Sequence, residues 1–306
     1  MWRNRESAEV REEKQIQNEE KAEKKKKDKE KKDQRRGERR LKKQEKKIKS
    51  SPEIKESNSE IISEILNDNP ILRQKKIICF DLYGTLIYRP HSHWKTKHFL
   101  KNVWIKPFKK YYEVIQTHRK EDVNTAYESV DGFKMPNRAI RALQKHTDEE
   151  IKNTKIYSET LAVLKKLKNS WYKLALISNL SQDFEIPLRK LIPDDIFDYE
   201  ALSYDVWAMK PDEKIFNKIL KEAKLWEKDS KIDMNDMLMI WDSKKSDVDW
   251  AKNVWMDSIL LKREPEKTKK DKKTEWLPEN IVYDKEKQLI IVHTLADLLD
   301  ILWIEY

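Results

Sequence analysis

The sequence predicts an α/β protein whose core is a doubly wound parallel sheet with helices on both faces. Short apolar runs alternate with segments of helical periodicity from residue 71 onward, and such alternation is typical of parallel sheets. The most informative run is Ile77-Ile78-Cys79-Phe80, which leads into Asp81 and a Gly-Thr turn. We therefore expect a buried strand with Asp81 at its carboxyl end, where open α/β sheets bind ligands.

Other segments of the chain fit the same architecture. The apolar run Met237-Leu238-Met239-Ile240 predicts a second buried strand that ends at a carboxylate. Further strands are predicted at Lys173–Ile177, Ser258–Leu261 and Ile281–Tyr283, and helices at Tyr157–Lys168 and Leu295–Leu302.

The positive charge of the chain is concentrated at its amino terminus. Residues 1–50 contain 21 Lys and Arg against 12 Asp and Glu, a net charge of +9 out of +10 for all 306 residues. So few apolar side chains cannot offset the entropy of ordering, and we expect a disordered or transiently helical tail. Its basic clusters would hold RNA, ribosomes or an acidic partner weakly by counterion release. A solubilising extension without a fixed partner is an equal alternative.

Composition predicts a cytoplasmic protein without disulfides. The single cysteine, Cys79, lies in an apolar run and is expected to be a small core residue. No apolar stretch approaches the about 18 residues of a membrane span, and the amino terminus lacks the apolar region of a signal peptide.

The balance of glycine and tryptophan is unusual. The chain has 3 Gly and 11 Trp, whereas an average usage of about 7% would give about 21 Gly. Trp171, Trp226 and Trp255 follow helical segments, where glycine is favoured in caps and turns. Our hypothesis is that some or all of these residues are glycines in the native organism, encoded by UGA codons. The alternative is that the tryptophans are genuine and pack in a Trp-rich core.

We divide the chain into a tail, a short linker, a core and an insertion in the core. A charged run within the core, Arg263–Glu275, is expected to be a solvated loop. The four segments are a basic low-complexity tail at 1–56, a short helix and linker at 57–70 with a cap at Ser57-Asn58-Ser59, a core at 71–87 and 158–306, and a mostly helical insertion at 88–157.

Four polar motifs follow one another along the core. A carboxylate at a strand end is suited to be a nucleophile or a Mg²⁺ ligand, and an ammonium beside it offsets negative charge. The motifs are Asp81-Leu82-Tyr83-Gly84-Thr85, Ser178-Asn179, Lys210-Pro211-Asp212, and Asp242 with Asp247 after the strand that ends near Trp241.

In this order the motifs resemble those of the haloacid dehalogenase-like hydrolases, over roughly residues 75–303. The resemblance implies a Rossmann-like core with an α-helical cap inserted at residues 88–157, whose movement encloses the substrate. It implies that Asp81 is the nucleophile and that Ser178 and Lys210 grip the transferring group. Thr85 and Asn179, which lie in the same motifs, are grouped with these catalytic residues.

The resemblance also implies a Mg²⁺ site. Its ligands would be the Asp81 carboxylate, the backbone carbonyl of Tyr83 and Asp242, with Asp247 orienting the coordination sphere. In the family's fourth motif a glycine precedes the first Asp. Trp241 holds the place of that glycine here, which supports the UGA hypothesis, and its indole is expected to crowd this site.

Position 83 departs from the pattern of the family's phosphatases, which usually carry a second Asp there as general acid and base. A phenol with a reference pKa of about 10 is a poor base at neutral pH. The family's dehalogenases carry Tyr at this position, but their fourth motif generally differs from the one here. Our interpretation is a Mg²⁺-dependent phosphatase of a small phosphorylated metabolite. The alternatives are a 2-haloacid dehalogenase, and a weak or inactive fold that acts through its basic tail.

Overall fold

A computed structural model of the protein describes residues 52–89, 108–119, 137–242, 256–263, 281–302 and 304. Most of the predicted tail, much of the predicted cap, Asp247 and Trp255 lie outside these ranges. The chain divides into two compact units, Met1–Glu56 and Ser57–Tyr306, and the sheet and the candidate site belong to the second.

The strands begin and end close to where the apolar runs do. They are β1 (Ile77–Phe80), β2 (Ile87–Tyr88), β3 (Lys155–Ile156), β4 (Lys173–Ser178), β5 (Tyr199–Leu202), β6 (Met237–Trp241), β7 (Asp257–Leu261), β8 (Ile281–Asp284) and β9 (Leu289–Val292). The helices are α1 (Pro52–Asp68), α2 (Phe108–Thr117), α3 (Asn137–Asn153), α4 (Thr160–Asn169), α5 (Glu185–Leu191), α6 (Ser203–Val206), α7 (Glu213–Trp226) and α8 (Leu295–Ile301).

Seven of these strands form one sheet in the order β5-β4-β1-β6-β7-β9-β8. All neighbours are parallel except β8, which runs antiparallel to β9. From β1 the chain builds β4 and β5 on one side and then β6 and β7 on the other, so β1 lies at a topological switch point. The predicted doubly wound α/β fold is confirmed.

Two apolar clusters cover the two faces of the sheet. Ile78 and Phe80 point to the face covered by α4 and α8, while Ile77 and Cys79 point to the face covered by α7. The alternation follows from the two-residue period of a strand. Full burial raises the pKa of the Cys79 thiol well above its usual range, so this cysteine is a core residue, as its sequence context predicts.

The segment before the sheet differs from its predicted form. Helix α1 starts at Pro52 and not at the predicted cap around Ser57-Asn58-Ser59. Proline is favoured in the first turn of a helix because its missing N–H is not needed there. Ile65 near the end of α1 is fully buried in the core. None of the described helices is long and apolar enough to cross a membrane.

A short ribbon lies at the two ends of the segment predicted to be an insertion. β2 pairs antiparallel with β3, and Ile87 lies opposite Ile156. This pairing brings together the two ends of that segment. The described helices between them are α2 and α3.

The described tryptophans fall into two groups by backbone conformation. Trp171 has a φ of 69° and Trp207 a φ of 61°, both left-handed. Trp226 is instead the last residue of α7, and the left-handed residue after that helix is Lys228, with a φ of 52°. Trp241 ends β6 and packs with the apolar cluster on the α7 face. The expectation that its indole crowds the site is therefore wrong, because the alternation along β6 turns the side chain into the core.

Candidate active site

Three of the predicted site residues lie at the carboxyl ends of three adjacent strands. Asp81 follows β1, Ser178 ends β4 and Asp242 follows β6. The Asp81 N–H donates to the Ile240 carbonyl at 3.0 Å, which extends the β1–β6 ladder to the start of the loop. Parallel alignment thus places these residues together at the edge of the sheet where such folds bind ligands.

Lys210 lies between α6 and α7 and reaches the first of these residues. Its Nζ is 2.7 Å from Oδ1 of Asp81, and only 9% and 16% of the two side chains are exposed. A charge-assisted hydrogen bond with little solvent around it is stronger than a surface ion pair. The ammonium is therefore held beside the carboxylate.

Asn179 holds the backbone of Lys210. The Asn179 Oδ1 accepts from the Lys210 N–H at 2.7 Å, and its Nδ2 donates to the Lys210 carbonyl at 3.1 Å. Both polar ends of the carboxamide are used in this contact. The neighbouring Ser178 is 2% exposed at the end of β4.

Gly84 and Asp242 approach each other very closely. Gly84 has a φ of +89°, and a Cβ at this residue would lie 1.9 Å from Oδ2 of Asp242. The Gly84 N–H donates to the Ile87 carbonyl and the Leu86 N–H to the Leu82 carbonyl, each at 2.8 Å. Neither bond uses the Tyr83 carbonyl. Only glycine lets the loop after β1 pass this close to the Asp242 carboxylate.

The Tyr83 side chain is packed in a buried position. Its hydroxyl donates to the Phe184 carbonyl at 3.3 Å, and the two rings meet edge to face at 5.9 Å between centroids. Burial, the largest cause, raises the pKa of Tyr83 above its ordinary value. The phenol therefore stays protonated at neutral pH and is unsuited to act as a general base.

A buried ion pair packs against Tyr83. The Arg89 guanidinium lies 4.1 Å from the centroid of the Tyr83 ring and 4.3 Å from that of Phe184. Its Nη1 is 2.7 Å from Oε2 of Glu150 on α3, a side chain that is only 1% exposed. Sequence reasoning missed this pair, because the residues are 61 positions apart and each lies in a polar stretch.

The Thr85 carbonyl is bound by Arg263, a residue predicted to lie in a solvated loop. This carbonyl accepts from Arg263 Nε at 3.1 Å and from Arg263 Nη2 at 2.7 Å. The Thr85 Oγ1 is buried and makes no hydrogen bond within the described residues. The expectation that Arg263 belongs to a solvated loop is wrong, since its side chain is only 11% exposed. In the sequence Arg263 follows Lys262 at the start of a charged run, which gives no signal of this burial.

The described part of the site fits a small, hard cation. The carboxylates of Asp81 and Asp242 are oxygen ligands of the kind that Mg²⁺ prefers. The Tyr83 carbonyl accepts neither of the two loop hydrogen bonds described above. Within the described ranges no three His, Cys, Asp or Glu side chains are grouped as a metal site. The predicted set contains two carboxylates and one carbonyl, and Asp247 lies outside the described residues.

The fold and the Asp81–Lys210 pair define an α/β enzyme with a carboxylate at the switch point of its sheet. A sequence model described as haloacid dehalogenase-like hydrolase matches residues 78–261. The chain therefore belongs to the haloacid dehalogenase-like hydrolases, and the predicted family and enzyme class are confirmed. No protein with a curated description matches the chain in sequence.

Several solved structures resemble the chain at low identity. A HAD family enzyme from Bacteroides thetaiotaomicron, in complex with magnesium and inorganic phosphate, is 18% identical, covers 61% of this chain and 94% of its own, and has a TM-score of 0.43. A HAD phosphatase from Thermococcus onnurineus is 18% identical over 75% of this chain and 99% of its own, with a TM-score of 0.43. A 2-haloacid dehalogenase from Pseudomonas syringae pv. tomato is 19% identical over 75% and 98%, with a TM-score of 0.46.

Proposed function

We propose that the protein is a Mg²⁺-dependent phosphatase that acts on a small phosphorylated metabolite through a covalent aspartyl-phosphate at Asp81. The observation that carries this proposal is the 2.7 Å contact between Lys210 Nζ and Asp81 Oδ1. An ammonium at this distance offsets the charge of the attacking carboxylate and of an incoming phosphoryl group.

The reaction would proceed in two displacements at phosphorus. An Asp81 oxygen attacks phosphorus in line, the new O–P bond forms, and the ester oxygen leaves with the bonding electrons. Water then attacks the same phosphorus, which releases inorganic phosphate and restores the Asp81 carboxylate. The water supplies the hydroxyl of the phosphate and, through solvent, the proton of the alcohol product. Lys210 and the Ser178 hydroxyl hold the oxygens of the transferring group throughout.

Charge balance supports the assignment of Mg²⁺. Asp81 and Asp242 are two carboxylates at one edge of the sheet with one ammonium beside them, so an anionic substrate would be repelled. Asp81, the Tyr83 carbonyl and Asp242 would hold the ion, with Asp247 as the predicted orienting residue. Bound Mg²⁺ supplies positive charge that offsets the negative charge on the transferring group.

Tyr83 favours a second candidate, a 2-haloacid dehalogenase. In that reaction Asp81 attacks the halogen-bearing carbon, the halide leaves with the bonding electrons, and water hydrolyses the resulting ester. No proton needs to reach a halide, so a buried phenol at position 83 would be no handicap. We rank this reaction second because it gives no use to the Asp242 carboxylate against Gly84.

One experiment separates the two reactions. Phosphate release from an aryl phosphate and a panel of small phosphomonoesters is measured with Mg²⁺ and with EDTA, beside halide release from 2-haloacids. We expect Mg²⁺-dependent phosphate release that Asp81→Asn abolishes and Lys210→Met lowers by at least about 100-fold. The exposed Lys214→Met is the matched control. Halide release that persists in EDTA would replace the phosphatase proposal by the dehalogenase one.

The basic tail at residues 1–56 suggests a binding role separate from the hydrolase site. We propose weak binding of RNA or an acidic partner by the basic tail, and a cytoplasmic protein. If the tail acts electrostatically, RNA binding by the full chain should weaken steeply with salt and disappear when residues 1–50 are deleted. Binding that is insensitive to salt or survives the deletion would count against the tail.

A further inference from the structure

We infer that Arg263 is a positioning residue for the loop that carries Asp81. This inference rests on the proposed function, in that hydrolysis at Asp81 requires the loop in one conformation. Arg263 stands just after β7, two strands away from β1 in the sheet. Its side chain nevertheless reaches the loop between β1 and β2.

The guanidinium of Arg263 is fixed on every side. Nε and Nη2 both donate to the Thr85 carbonyl, at 3.1 and 2.7 Å. Nη1 donates to Oε1 of Glu159 at 2.6 Å, and the guanidinium carbon lies 3.5 Å from the centroid of the Tyr157 ring. A planar fork that is stacked and bonded in this way is a property of arginine that lysine does not reproduce.

The segment after β3 holds the next residue of the same loop. The Leu86 carbonyl accepts from the Tyr157 N–H at 3.2 Å and from the Thr160 hydroxyl at 3.0 Å. Two successive carbonyls, those of Thr85 and Leu86, are therefore bound from outside the loop. Arg263 connects them, because it also binds Glu159 and stacks on Tyr157.

The close approach of Gly84 to Asp242 makes this connection relevant to the chemistry. A Cβ at Gly84 would lie 1.9 Å from Asp242 Oδ2, so little space separates the loop from the second carboxylate. A displacement of about 1 Å in a reacting group costs on the order of 100-fold in rate. Each of the three guanidinium nitrogens of Arg263 already donates within the protein, which favours positioning over substrate contact.

Three variants test the inference. Arg263→Met keeps the apolar length of the side chain and removes all donors, while Arg263→Lys keeps the charge but not the fork. Lys262→Met is the matched control, because it removes the neighbouring exposed cation and leaves the contacts of Arg263 in place. Steady-state kinetics are measured well below the unfolding temperature of each variant, and amide hydrogen exchange is followed at Gly84, Leu86 and Ile87.

For Arg263→Met we expect kcat to fall about 10- to 100-fold with KM changed less than about threefold, since the reacting carboxylate and not substrate binding is disturbed. Exchange at the loop amides should rise while β6 stays protected. Arg263→Lys should restore only part of kcat, and Lys262→Met should stay within about threefold of wild type. An increase in KM alone would mean that Arg263 binds substrate, and unchanged kcat would also overturn the inference.

If the wild type hydrolyses neither phosphoesters nor haloacids, the proposed function fails. In that case amide hydrogen exchange of the loop still tests the role of Arg263. Exchange that is the same in Arg263→Met as in the wild type would overturn that role.

Discussion

The Asp242 carboxylate lies against the backbone of Gly84, with Oδ2 only 1.9 Å from the place where a Cβ would be. Gly84→Ala should therefore displace either the loop or the carboxylate, and its φ of +89° adds backbone strain for any L side chain. We expect turnover to fall at least about 100-fold and the free energy of unfolding to fall by about 1 to 3 kcal/mol. Phosphate release and urea unfolding measure the two effects.

A second substitution shows whether the overlap between the new methyl group and the Asp242 carboxylate causes the loss of stability. In an Asp242→Ala background the added methyl group meets no carboxylate, so Gly84→Ala should cost less stability there than in the wild type. Equal costs in both backgrounds would attribute the loss to the backbone conformation alone.

Asn179 is expected to act through Lys210. Asn179→Ala removes both hydrogen bonds to the Lys210 backbone and should lower kcat about 10-fold by loosening the ammonium beside Asp81. In a Lys210→Ala background the same substitution should have little further effect, because no ammonium is left to position. Independent losses of the two side chains would instead mean that Asn179 contacts the substrate itself.

Tyr83 should make the rate depend strongly on the leaving group. Its hydroxyl donates to the Phe184 carbonyl, so position 83 supplies no proton to the departing oxygen. We expect aryl phosphates to react much faster than alkyl phosphates, and Tyr83→Asp to raise alkyl phosphate hydrolysis by about 100-fold relative to aryl. The rates of a series of esters with leaving groups of graded pKa measure this dependence.

The comparison with Tyr83→Phe isolates the hydroxyl. This variant keeps the ring against Arg89 and should retain the steep dependence on the leaving group. A wild-type enzyme that hydrolyses alkyl and aryl phosphates equally fast would show that another residue donates the proton.

The site residues that the sequence predicts are those at the carboxyl ends of strands, because parallel strands bring these ends to one edge of the sheet. Asp81, Ser178 and Asp242 come together because parallel neighbours align their carboxyl ends, a property visible in the apolar runs before each residue. The contact of Lys210 with Asp81 spans 129 residues and was accessible only through the resemblance to a family.

The residues that sequence reasoning missed are charged side chains buried by long-range contacts. Arg263 and Thr85 are 178 positions apart, and Glu150, the partner of Arg89, lies on α3 at 61 positions from it. In the sequence both arginines resemble surface residues, because burial of a charge depends on a partner that local pattern does not reveal.

Asp297 is expected to make stability fall as the pH rises. Burial raises the pKa of this carboxyl from 3.8 to about 6, although it accepts from the Thr294 N–H at 2.8 Å. Between these values the folded state binds more protons than the unfolded state, so its stability decreases with increasing pH. Asp297→Asn keeps an acceptor oxygen and should remove a change on the order of 1 to 3 kcal/mol.

Urea unfolding at intervals between pH 4 and 7 measures that slope. The exposed Asp194→Asn is the control and should leave the slope as it is, because Asp194 is not among the groups that shift the pKa of Asp297. A slope that persists in Asp297→Asn would assign it to other groups.

The tryptophan hypothesis is sharpest at Trp171, whose φ is 69° and whose side chain is 93% exposed. Trp171→Gly relieves a left-handed residue that has almost no packing to lose, so it should stabilise the fold by about 1 kcal/mol. Trp226 lies within α7, and Trp226→Gly should instead cost up to about 1 kcal/mol. Thermal unfolding of the two variants shows whether the two stability changes have these opposite signs.

Peptide masses from the native organism test the recoding itself. A glycine mass at position 171 would support it, and a tryptophan mass there would leave Trp171 as a genuine, strained residue.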